Sequence, residues 1–358
     1  MSLGKKVTLN TGAPIPQLGF GTWQSAPGEV GNAVYEALKA GYRHLDLATM
    51  YERHPPSLLQ DQDAPAWSNT PIRGYQNQRE VATGIKRAFK EIPGLKREDL
   101  FITSKLWNSQ HRPEIVEASL DACLAELELD YLDLYLVHWP VAFKQGNEYF
   151  PRVEGSTVEG GDVVIDNEVS IVDTWKAMTK LPKSKARAVG VSNHTIEHLE
   201  AIIQGTGVVP AANQIERHPV LQSKDLVEYC QKKGIHITAY SAFGNNNVGV
   251  PLLITRPEIK EVAEAVAKRT GQEVTGAHVI LAWSQIGGHS VIPKSVTPSR
   301  IRDNFKEIEL TSEEAEKVSA LGKDRKRYNL PFPNYKPRWN INIFGEPEEA
   351  PATYKVKL

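Results

Sequence analysis

The chain alternates short apolar runs with amphipathic stretches along most of its length. Eight of the runs have the length and composition of buried β-strands: 18–21, 43–47, 100–104, 131–137, 186–191, 211–215, 235–240 and 290–292. In the stretches between them apolar residues recur with the period of an α-helix, at 29–40, 79–90, 113–127, 172–179, 196–204, 223–232, 257–269 and 275–285. This alternation is typical of parallel β/α units, so it predicts an α/β fold of the (β/α)8 TIM barrel type.

A doubly wound parallel sheet is the alternative fold for the same alternation. Such a sheet usually carries a G-x-G-x-x-G fingerprint at its first βα turn, and the sequence has no such motif. Ahead of the first β/α unit, two strand-like stretches at 6–9 and 15–19 flank the turn signal Asn10-Thr11-Gly12. They predict a β-hairpin before the barrel.

The 358 residues suffice for one barrel, which takes roughly 250. We therefore expect a single barrel domain over 1–358 with three irregular additions. Segment 141–171 is polar, rich in glycine and acidic residues, and predicts a long loop over one barrel end. Segment 324–358, with Pro331, Pro333, Pro337 and Trp339, predicts an extended C-terminal arm. Segment 52–75, rich in proline, glutamine and aspartate, has neither period and predicts an irregular insertion.

Charge and cysteine content limit the classes of partner and the compartment. The chain has 42 Lys+Arg and 43 Asp+Glu, a net charge of −1, whereas nucleic acid and anionic membranes call for a basic excess. No apolar run approaches the length of a membrane span. The two cysteines, Cys123 and Cys230, exclude a disulfide framework. We expect a cytoplasmic protein that binds neither nucleic acid nor membranes; the sequence gives no basis for an oligomeric state.

Three polar residues lie at or just after the ends of neighbouring predicted strands. They are Asp46, Lys105 and His138. Barrel enzymes carry their active sites at the carboxyl ends of the strands, so we expect these side chains to converge. A lysine charge lowers the pKa of a nearby tyrosine hydroxyl, and a carboxylate holds that lysine in place. The set is therefore suited to proton transfer, although each residue alone also fits a structural role.

Six motifs, in this order, resemble the aldo-keto reductase family from about residue 7 to about 321. They are LGFGTW at 18–23, GYRHLDLA at 41–48, TSKLW at 103–107, DLYLVHWP at 133–140, GVSN at 190–193 and IPKSV at 292–296. The resemblance implies the barrel fold and an NADP(H)-dependent oxidoreductase that interconverts carbonyl compounds and alcohols. It also implies that Asp46, Lys105 and His138 are catalytic, with a tyrosine as general acid toward the carbonyl oxygen.

The resemblance also assigns the cofactor residues. Ser192, Asn193 and Gln214 hold the carboxamide, Tyr240 stacks on the nicotinamide ring, and 241–244 follow the pyrophosphate. The remaining assignments are Gly21, Thr22, Trp23 and Asp46 near the nicotinamide end, Ser241 and Phe243 in the pyrophosphate segment, and Lys294, Ser295, Val296, Arg300 and Asn304 for the adenosine 2′-phosphate and adenine. Cations and helix-start amides suit a phosphate, which favours NADP over NAD. The family commonly has Ser-Pro-Leu-Gly after the tyrosine, whereas this chain has Ser241-Ala242-Phe243-Gly244.

For the substrate, the resemblance places Trp23, Trp107, His138 and Trp139 in the pocket wall, with core packing as the alternative for Trp139. The C-terminal arm is similar to that of fungal glycerol dehydrogenases and aldose reductases of the family. That similarity favours glyceraldehyde and glycerol, or a related sugar aldehyde, as substrates.

The chain departs from the family pattern at the catalytic tyrosine. Tyr51 has the expected spacing from Asp46, whereas Tyr75 has the expected position before Asn77 and the next helix. Removing either 52–75 or 51–74 restores the usual motif. We favour Tyr51, because it follows the strand that bears Asp46; in favour of Tyr75, Asn77 and Glu80 form a helix-cap pattern. The insertion itself fits a gating element, a specificity loop or a translated intron.

Two other functions are compatible with parts of the sequence. If the insertion displaces the tyrosine or covers the pocket, the chain is a barrel that binds NADPH without turnover. His194, Glu197 and His198 match the H-x-x-E-H pattern of an inverted zinc metalloprotease, for which a capped helix start is the simpler interpretation. No third zinc ligand is evident, so we assign no metal.

Overall fold

The computed structural model describes residues 4–23, 25–26, 28–48, 76–146, 148–244 and 249–358. A β-hairpin precedes the barrel, with β1 (Lys6–Thr8) antiparallel to β2 (Pro14–Pro16). Eight parallel strands then pair in chain order: β3 (Phe20–Gly21), β4 (His44–Asp46), β5 (Phe101–Leu106), β6 (Leu132–Val137), β7 (Ala186–Ser192), β8 (Ala212–Glu216), β9 (His236–Tyr240) and β10 (Ser290–Val291). The predicted hairpin and the predicted strand order are confirmed.

The first and last strands of this sheet close on each other. Parallel bridges join Leu18 to Val291 and Gly21 to Lys294. The Gly19 amide donates to the Val291 carbonyl at 2.9 Å, and the Val291 amide donates to the Gln17 carbonyl at 2.7 Å. The sheet is therefore a closed barrel, as predicted, and all carboxyl ends of its strands meet at one rim.

Helices follow the strands and cover the barrel. Those that match predicted stretches are α1 (Val30–Ala40), α2 (Gln76–Glu91), α3 (Val116–Leu127), α4 (Ile171–Met178), α5 (Ile196–Thr206), α6 (Lys224–Lys233), α7 (Pro257–Thr270) and α8 (Gly276–Gln285). Three short helices were not predicted: α9 (Pro298–Asn304), α10 (Ser312–Ser319) and α11 (Pro331–Asn334). β5 continues past its predicted end, so Lys105 lies inside the strand rather than after it.

Helices α1 and α2 approach each other at two glycines. A Cβ on Gly31 would lie 2.7 Å from the Glu80 carbonyl oxygen, and a Cβ on Gly84 would overlap the Gly31 carbonyl oxygen. The Glu80 carboxylate also accepts a 2.9 Å hydrogen bond from the Gly28 amide, ahead of α1. Only glycine permits this approach of two backbones, so α2 is held close against α1.

The C-terminal arm, 324–358, crosses the rim of the barrel. It includes α11 and a parallel strand pair, β11 (Ile341–Asn342) with β12 (Tyr354–Lys355). Near its end, the Lys357 carbonyl accepts a 2.9 Å hydrogen bond from the Ile171 amide at the start of α4. Among the residues described, no helix has both the length and the apolar character needed to cross a membrane.

Candidate active site

A buried ion pair lies inside the rim, between neighbouring strands β4 and β5. Lys105 Nζ is 2.7 Å from Asp46 Oδ2 and also donates to the Leu47 carbonyl at 2.7 Å. Both side chains are less than a tenth exposed. Gln214 reaches Asp46 from β8, on the far side of the barrel, and its Nε2 donates to Oδ1 at 2.7 Å. Lys105 and Gln214 thus hold the Asp46 carboxylate from two directions, and the predicted convergence of Asp46 and Lys105 is present.

His138 follows β6 and lies on the same rim. Its backbone amide donates to the Leu106 carbonyl at 3.1 Å, which joins it to the strand that bears Lys105. Nδ1 is buried and accepts or donates no hydrogen bond within the described ranges. Burial and the nearby Lys105 charge hold the pKa of His138 well below 6.5. The imidazole is therefore neutral at physiological pH and suited to hydrogen bonding rather than to carrying charge.

Polar side chains at the ends of β7, β8 and β9 form a connected set. Asn193 donates through Nδ2 to the His138 carbonyl at 2.9 Å, and its Oδ1 accepts from the Tyr240 hydroxyl at 2.6 Å. Ser192 Oγ donates to the Gln214 carbonyl at 2.8 Å. Asn193 adopts φ 63°, the left-handed region that asparagine tolerates. The four residues predicted to hold nicotinamide are therefore in one place.

This donor and acceptor set fits a nicotinamide ring. Ser192, Asn193 and Gln214 offer one hydroxyl and two amides, which match the donor and the acceptor of a carboxamide. Gln214 Oε1 makes no hydrogen bond in the described portion of the chain, so it can accept one from an amide. Tyr240 supplies an aromatic face beside them.

The other predicted cofactor residues lie at the ends of β3, β9 and β10. Thr22 Oγ1 donates to the Asp46 carbonyl at 3.1 Å, and the Gly21 amide donates to the Pro293 carbonyl at 3.0 Å. Ser241 has φ 51°. The remaining residues flank these strand ends: Trp23 after β3, Phe243 after β9, Lys294, Ser295 and Val296 between β10 and α9, and Arg300 and Asn304 on α9. The Gly21–Lys294 bridge connects the two predicted groups at the barrel seam.

Aromatic rings surround His138 on one side. Ring centroids are 5.3 Å apart for Trp107 and His138, and 6.4 Å apart for His138 and Trp139. Trp339, from the arm, lies 5.2 Å from Trp139. Further rings of this cluster, which sequence reasoning did not assign to a site, come from the 141–171 loop and the arm: Phe143, Tyr149, Phe150, Tyr335 and Phe344. In the sequence, the only sign of their role was the number of aromatic residues in those two segments.

Tyr51 and Tyr75, the two candidates for the catalytic tyrosine, lie outside the described residues, as does the insertion 52–75. The helix-cap argument for Tyr75 fails, because α2 already includes Gln76 and Asn77. In addition, Glu80 uses its carboxylate to accept from Gly28. The side chain of Gln78 is buried and donates to Glu126 Oε2 at 2.7 Å, which anchors this first turn on α3.

The H-x-x-E-H stretch forms a capped helix start. α5 begins at Ile196, so His194 precedes the helix and the two histidines do not share a helical face. His198 accepts a 3.2 Å hydrogen bond from the Thr195 amide, and His194 Nδ1 lies 2.9 Å from the Ser192 carbonyl. The zinc hypothesis gains no support from this arrangement, since both rings take part in local hydrogen bonds.

A second buried carboxylate, which sequence reasoning missed, closes β8. Glu216 accepts hydrogen bonds from the Tyr328 amide at 2.8 Å, the Asn329 amide at 2.9 Å and His218 Nε2 at 2.9 Å. The arm is thereby attached to the barrel. Asn329 also donates to Ser241 Oγ at 3.3 Å, which links the arm to the predicted pyrophosphate segment. A charged residue in an otherwise buried strand, two residues after Gln214, was the signal available in the sequence.

The family model for the aldo/keto reductase family matches residues 17–323. The chain belongs to the aldo/keto reductase family. The reductase is 58% identical over 358 residues to a D/L-glyceraldehyde reductase of Hypocrea jecorina, covering 100% of this chain and 99% of the relative. It is 37% identical over 340 residues to a glycerol 2-dehydrogenase (NADP(+)) of Saccharomyces cerevisiae, covering 93% and 96%.

Among solved structures, the reductase resembles the aldose reductase of Schistosoma japonicum. The TM-score is 0.74 and the sequence identity 36%, and the match covers 91% of this chain and 95% of the other. The predicted family and barrel fold are confirmed. The chain is an oxidoreductase that interconverts carbonyl compounds and alcohols.

Proposed function

We propose that the reductase transfers hydride between NADP(H) and small hydroxy-aldehydes, with glyceraldehyde and its alcohol glycerol, or a related sugar aldehyde, as the pair. The observation that carries the proposal is the buried Asp46–Lys105 pair, fixed by Gln214 on the rim that also holds His138. Two similar proteins bear names for glyceraldehyde reduction and NADP(+)-dependent glycerol oxidation, which supports this choice of cofactor and substrate.

In the proposed reaction, Tyr51 donates its hydroxyl proton to the carbonyl oxygen. The Lys105 ammonium lowers the pKa of that hydroxyl, and Asp46 holds the ammonium in place. Neutral His138 hydrogen-bonds the carbonyl oxygen and orients it. When bound, the cofactor would supply a hydride for the carbonyl carbon, so that the aldehyde, this hydride and the Tyr51 proton together give the alcohol. In the reverse direction the tyrosinate is the base.

For the cofactor, we propose that Ser192, Asn193, Gln214 and Tyr240 hold the nicotinamide. The cations Lys294 and Arg300 lie partly exposed after β10 and on α9, where a 2′-phosphate can reach them. The rest of the proposed cofactor site comprises Gly21, Thr22, Trp23, Asp46, Ser241, Phe243, Ser295, Val296 and Asn304. Trp23, Trp107, His138 and Trp139 are the proposed substrate wall.

The decisive experiment is NADPH oxidation with D,L-glyceraldehyde, run beside a fluorescence titration of NADPH, on the wild type, Tyr51→Phe and Tyr75→Phe. We expect the wild type to turn over and Tyr51→Phe alone to lose turnover while still binding NADPH. Loss of turnover in Tyr75→Phe alone would reassign the acid. If the wild type binds NADPH but reduces no aldehyde of a panel, the chain is a silenced barrel and the proposed activity is wrong.

Two coarser proposals concern the whole chain. We propose a single barrel domain over 1–358, with 52–75 inserted and 324–358 as its arm, and expect one cooperative transition in calorimetry. We also propose a cytoplasmic location, because both cysteines are free and buried thiols. Fractionation of cells that express the chain would test the location, and enrichment in a secreted fraction would contradict it.

A further inference from the structure

Two segments outside the barrel supply most of the aromatic wall behind His138. One is the loop 141–171 and the other is the arm 324–358. Trp107, next to His138, donates through Nε1 to the Tyr149 carbonyl of the loop at 2.9 Å. Trp339 of the arm lies 6.0 Å from Trp107 and 4.8 Å from Phe143 of the loop, centroid to centroid. The position of the loop relative to the arm therefore decides the shape of this wall.

Loop and arm are joined at Asp162 and Arg338. Arg338 Nε is 2.7 Å from Asp162 Oδ1, and the second guanidinium nitrogen is 3.1 Å from Oδ2, so the pair is bidentate. The backbone is paired as well. The Arg338 amide donates to the Gly161 carbonyl, and the Val163 amide donates to the Arg338 carbonyl, both at 2.9 Å. The joint fixes one register between the two segments.

Trp339 directly follows the joint in sequence. It is 1% exposed and packs against Trp107, Trp139 and Phe143. Its Nε1 is buried and has no hydrogen-bond partner in the part of the chain that the structure describes. Trp339 is therefore held by packing and by the register of its neighbour Arg338. A shift of the arm would move this ring relative to the two tryptophans beside His138.

We propose that the Asp162–Arg338 joint determines which aldehydes the reductase accepts, by holding Trp339 at a fixed distance from Trp107 and Trp139. Both joint residues are positioning residues, because neither touches the reacting atoms. This inference rests on the proposed function. With the joint intact, the pocket wall is tight and suits a small hydroxy-aldehyde. With the joint broken, the wall loosens, so a small substrate loses contacts while a bulkier aromatic aldehyde gains room.

The test compares kcat/KM for D,L-glyceraldehyde and for 4-nitrobenzaldehyde in Asp162→Asn. We expect the ratio of the two values to fall by about tenfold, the size of a misplaced pocket contact. The change should lie in KM for glyceraldehyde, and the NADPH titration should match the wild type. The charge swap, Asp162→Arg with Arg338→Asp, should restore the ratio to within about threefold, because the pair is re-formed with its ends exchanged.

A matched control is available in the same two segments. Lys336 and Glu159 form an ion pair at 2.6 Å that is largely exposed. Glu159→Gln breaks this pair between loop and arm without touching the joint. We expect its ratio of kcat/KM values for the two aldehydes to stay at the wild-type value, because an exposed ion pair stabilises the contact between its segments very little. If Glu159→Gln shifts the ratio as far as Asp162→Asn does, the effect is general surface charge and the proposal is wrong.

Four further outcomes are informative. Folded Asp162→Asn with an unchanged ratio overturns the proposal, as does an equal fall for both aldehydes together with weaker NADPH binding, which would mean a structural role alone. If Asp162→Asn does not fold, Arg338→Lys keeps the charge and loses the bidentate geometry, so it should shift the ratio partway; an unchanged ratio there also overturns the proposal. Wild type that reduces neither aldehyde would instead refute the proposed function.

Discussion

Asp46 and Glu216 are both buried carboxylates that close a barrel strand, and they differ in the kind of group each one holds. Asp46 binds two side chains, the Lys105 ammonium and the Gln214 amide, both from the barrel wall. Glu216 binds two backbone amides of the arm, together with His218. The first arrangement presents a charge to the interior of the rim, whereas the second attaches a segment of chain. Burial and position alone therefore do not distinguish a catalytic carboxylate from an architectural one; the partners do.

The electrostatics of Glu216 agree with an anchoring role. Burial raises the pKa of its carboxyl, but the His218 hydrogen bond, the Arg327 charge and the Tyr328 amide together lower it by more, so the net shift of the pKa is downward. The carboxylate stays ionised and accepts all of its hydrogen bonds at physiological pH. Its removal would leave two backbone amides of the arm unpaired in a buried place.

The largest expected effect is a loss of catalysis when Lys105, the ion-pair partner of Asp46, is replaced. Lys105→Met removes the charge that we propose activates the tyrosine, and we expect kcat/KM for glyceraldehyde to fall on the order of 10³- to 10⁴-fold, about 4–5.5 kcal/mol. Steady-state kinetics measure this loss. Lys185→Met, at a surface lysine paired with Glu117 and Asp121, is the control that should retain activity. A loss below about tenfold would remove Lys105 from the proposed machinery.

The next effect is on stability, at the Glu216 side. Glu216→Ala removes the carboxylate that binds the two backbone amides of the arm, and we expect the free energy of unfolding to fall by about 3–4 kcal/mol. Urea denaturation measures it. Glu216→Gln keeps an acceptor of the same shape and should lose about half as much. If Glu216→Ala unfolds like the wild type, the arm is held elsewhere and the comparison with Asp46 fails.

A third prediction concerns pH. Burial lowers the pKa of His111 and of His198 to about 3. Between pH 6.5 and about 3 the unfolded chain binds protons that the folded chain does not, so stability is lost as the pH falls. Each such histidine contributes about 1.4 kcal/mol per pH unit to that slope. Urea titrations at pH 7, 6 and 5 should show a shallower slope for His111→Asn; an identical slope would contradict the assignment.

The smallest effect sharpens the link between the arm and the cofactor. Asn329→Ala removes the side-chain contact to Ser241 while keeping the backbone hydrogen bond to Glu216. We expect the Kd for NADPH to rise about fivefold, the equivalent of one hydrogen bond of about 1 kcal/mol. Asn340→Ala, which loses an exposed contact to Thr353 within the arm, is the control and should bind NADPH normally. If both variants have the same Kd for NADPH, the Asn329 contact of the arm does not contribute to NADPH binding.

Local patterns were sufficient for the barrel. Strand runs and helical periods are local patterns that show which side chains of a segment are apolar and face the core, so β3–β10 and α1–α8 were predicted close to their observed bounds. The short helices α9–α11 were not, because each spans about two turns or less and carries too little period to detect. The convergence of Asp46, Lys105 and His138 followed from the barrel rule that strand ends share one rim.

The rest of the site depends on contacts between distant segments. Gln214 reaches Asp46 across the barrel, Glu216 binds an arm more than a hundred residues later, and Asp162 meets Arg338 over a similar separation. No period or spacing reports such pairs; the sequence marks Glu216 as a charge in a buried strand, but it does not show which segment Glu216 binds. The choice between Tyr51 and Tyr75 stays a prediction, since both lie outside the described residues.

The glycine contact between α1 and α2 makes the reductase suitable for the insertion of a foreign domain. Gly31 and Gly84 hold α2 against α1, and Ala48, which follows β4, is buried, so contacts among described residues hold the chain on both sides of 49–75. A foreign receptor domain can be inserted between these anchors, within 52–74, so that Tyr51 and Tyr75, the two candidates for the catalytic tyrosine, are both kept. Ligand binding by the graft would then be read as a change in NADPH consumption, which makes the barrel a scaffold for an enzymatic biosensor.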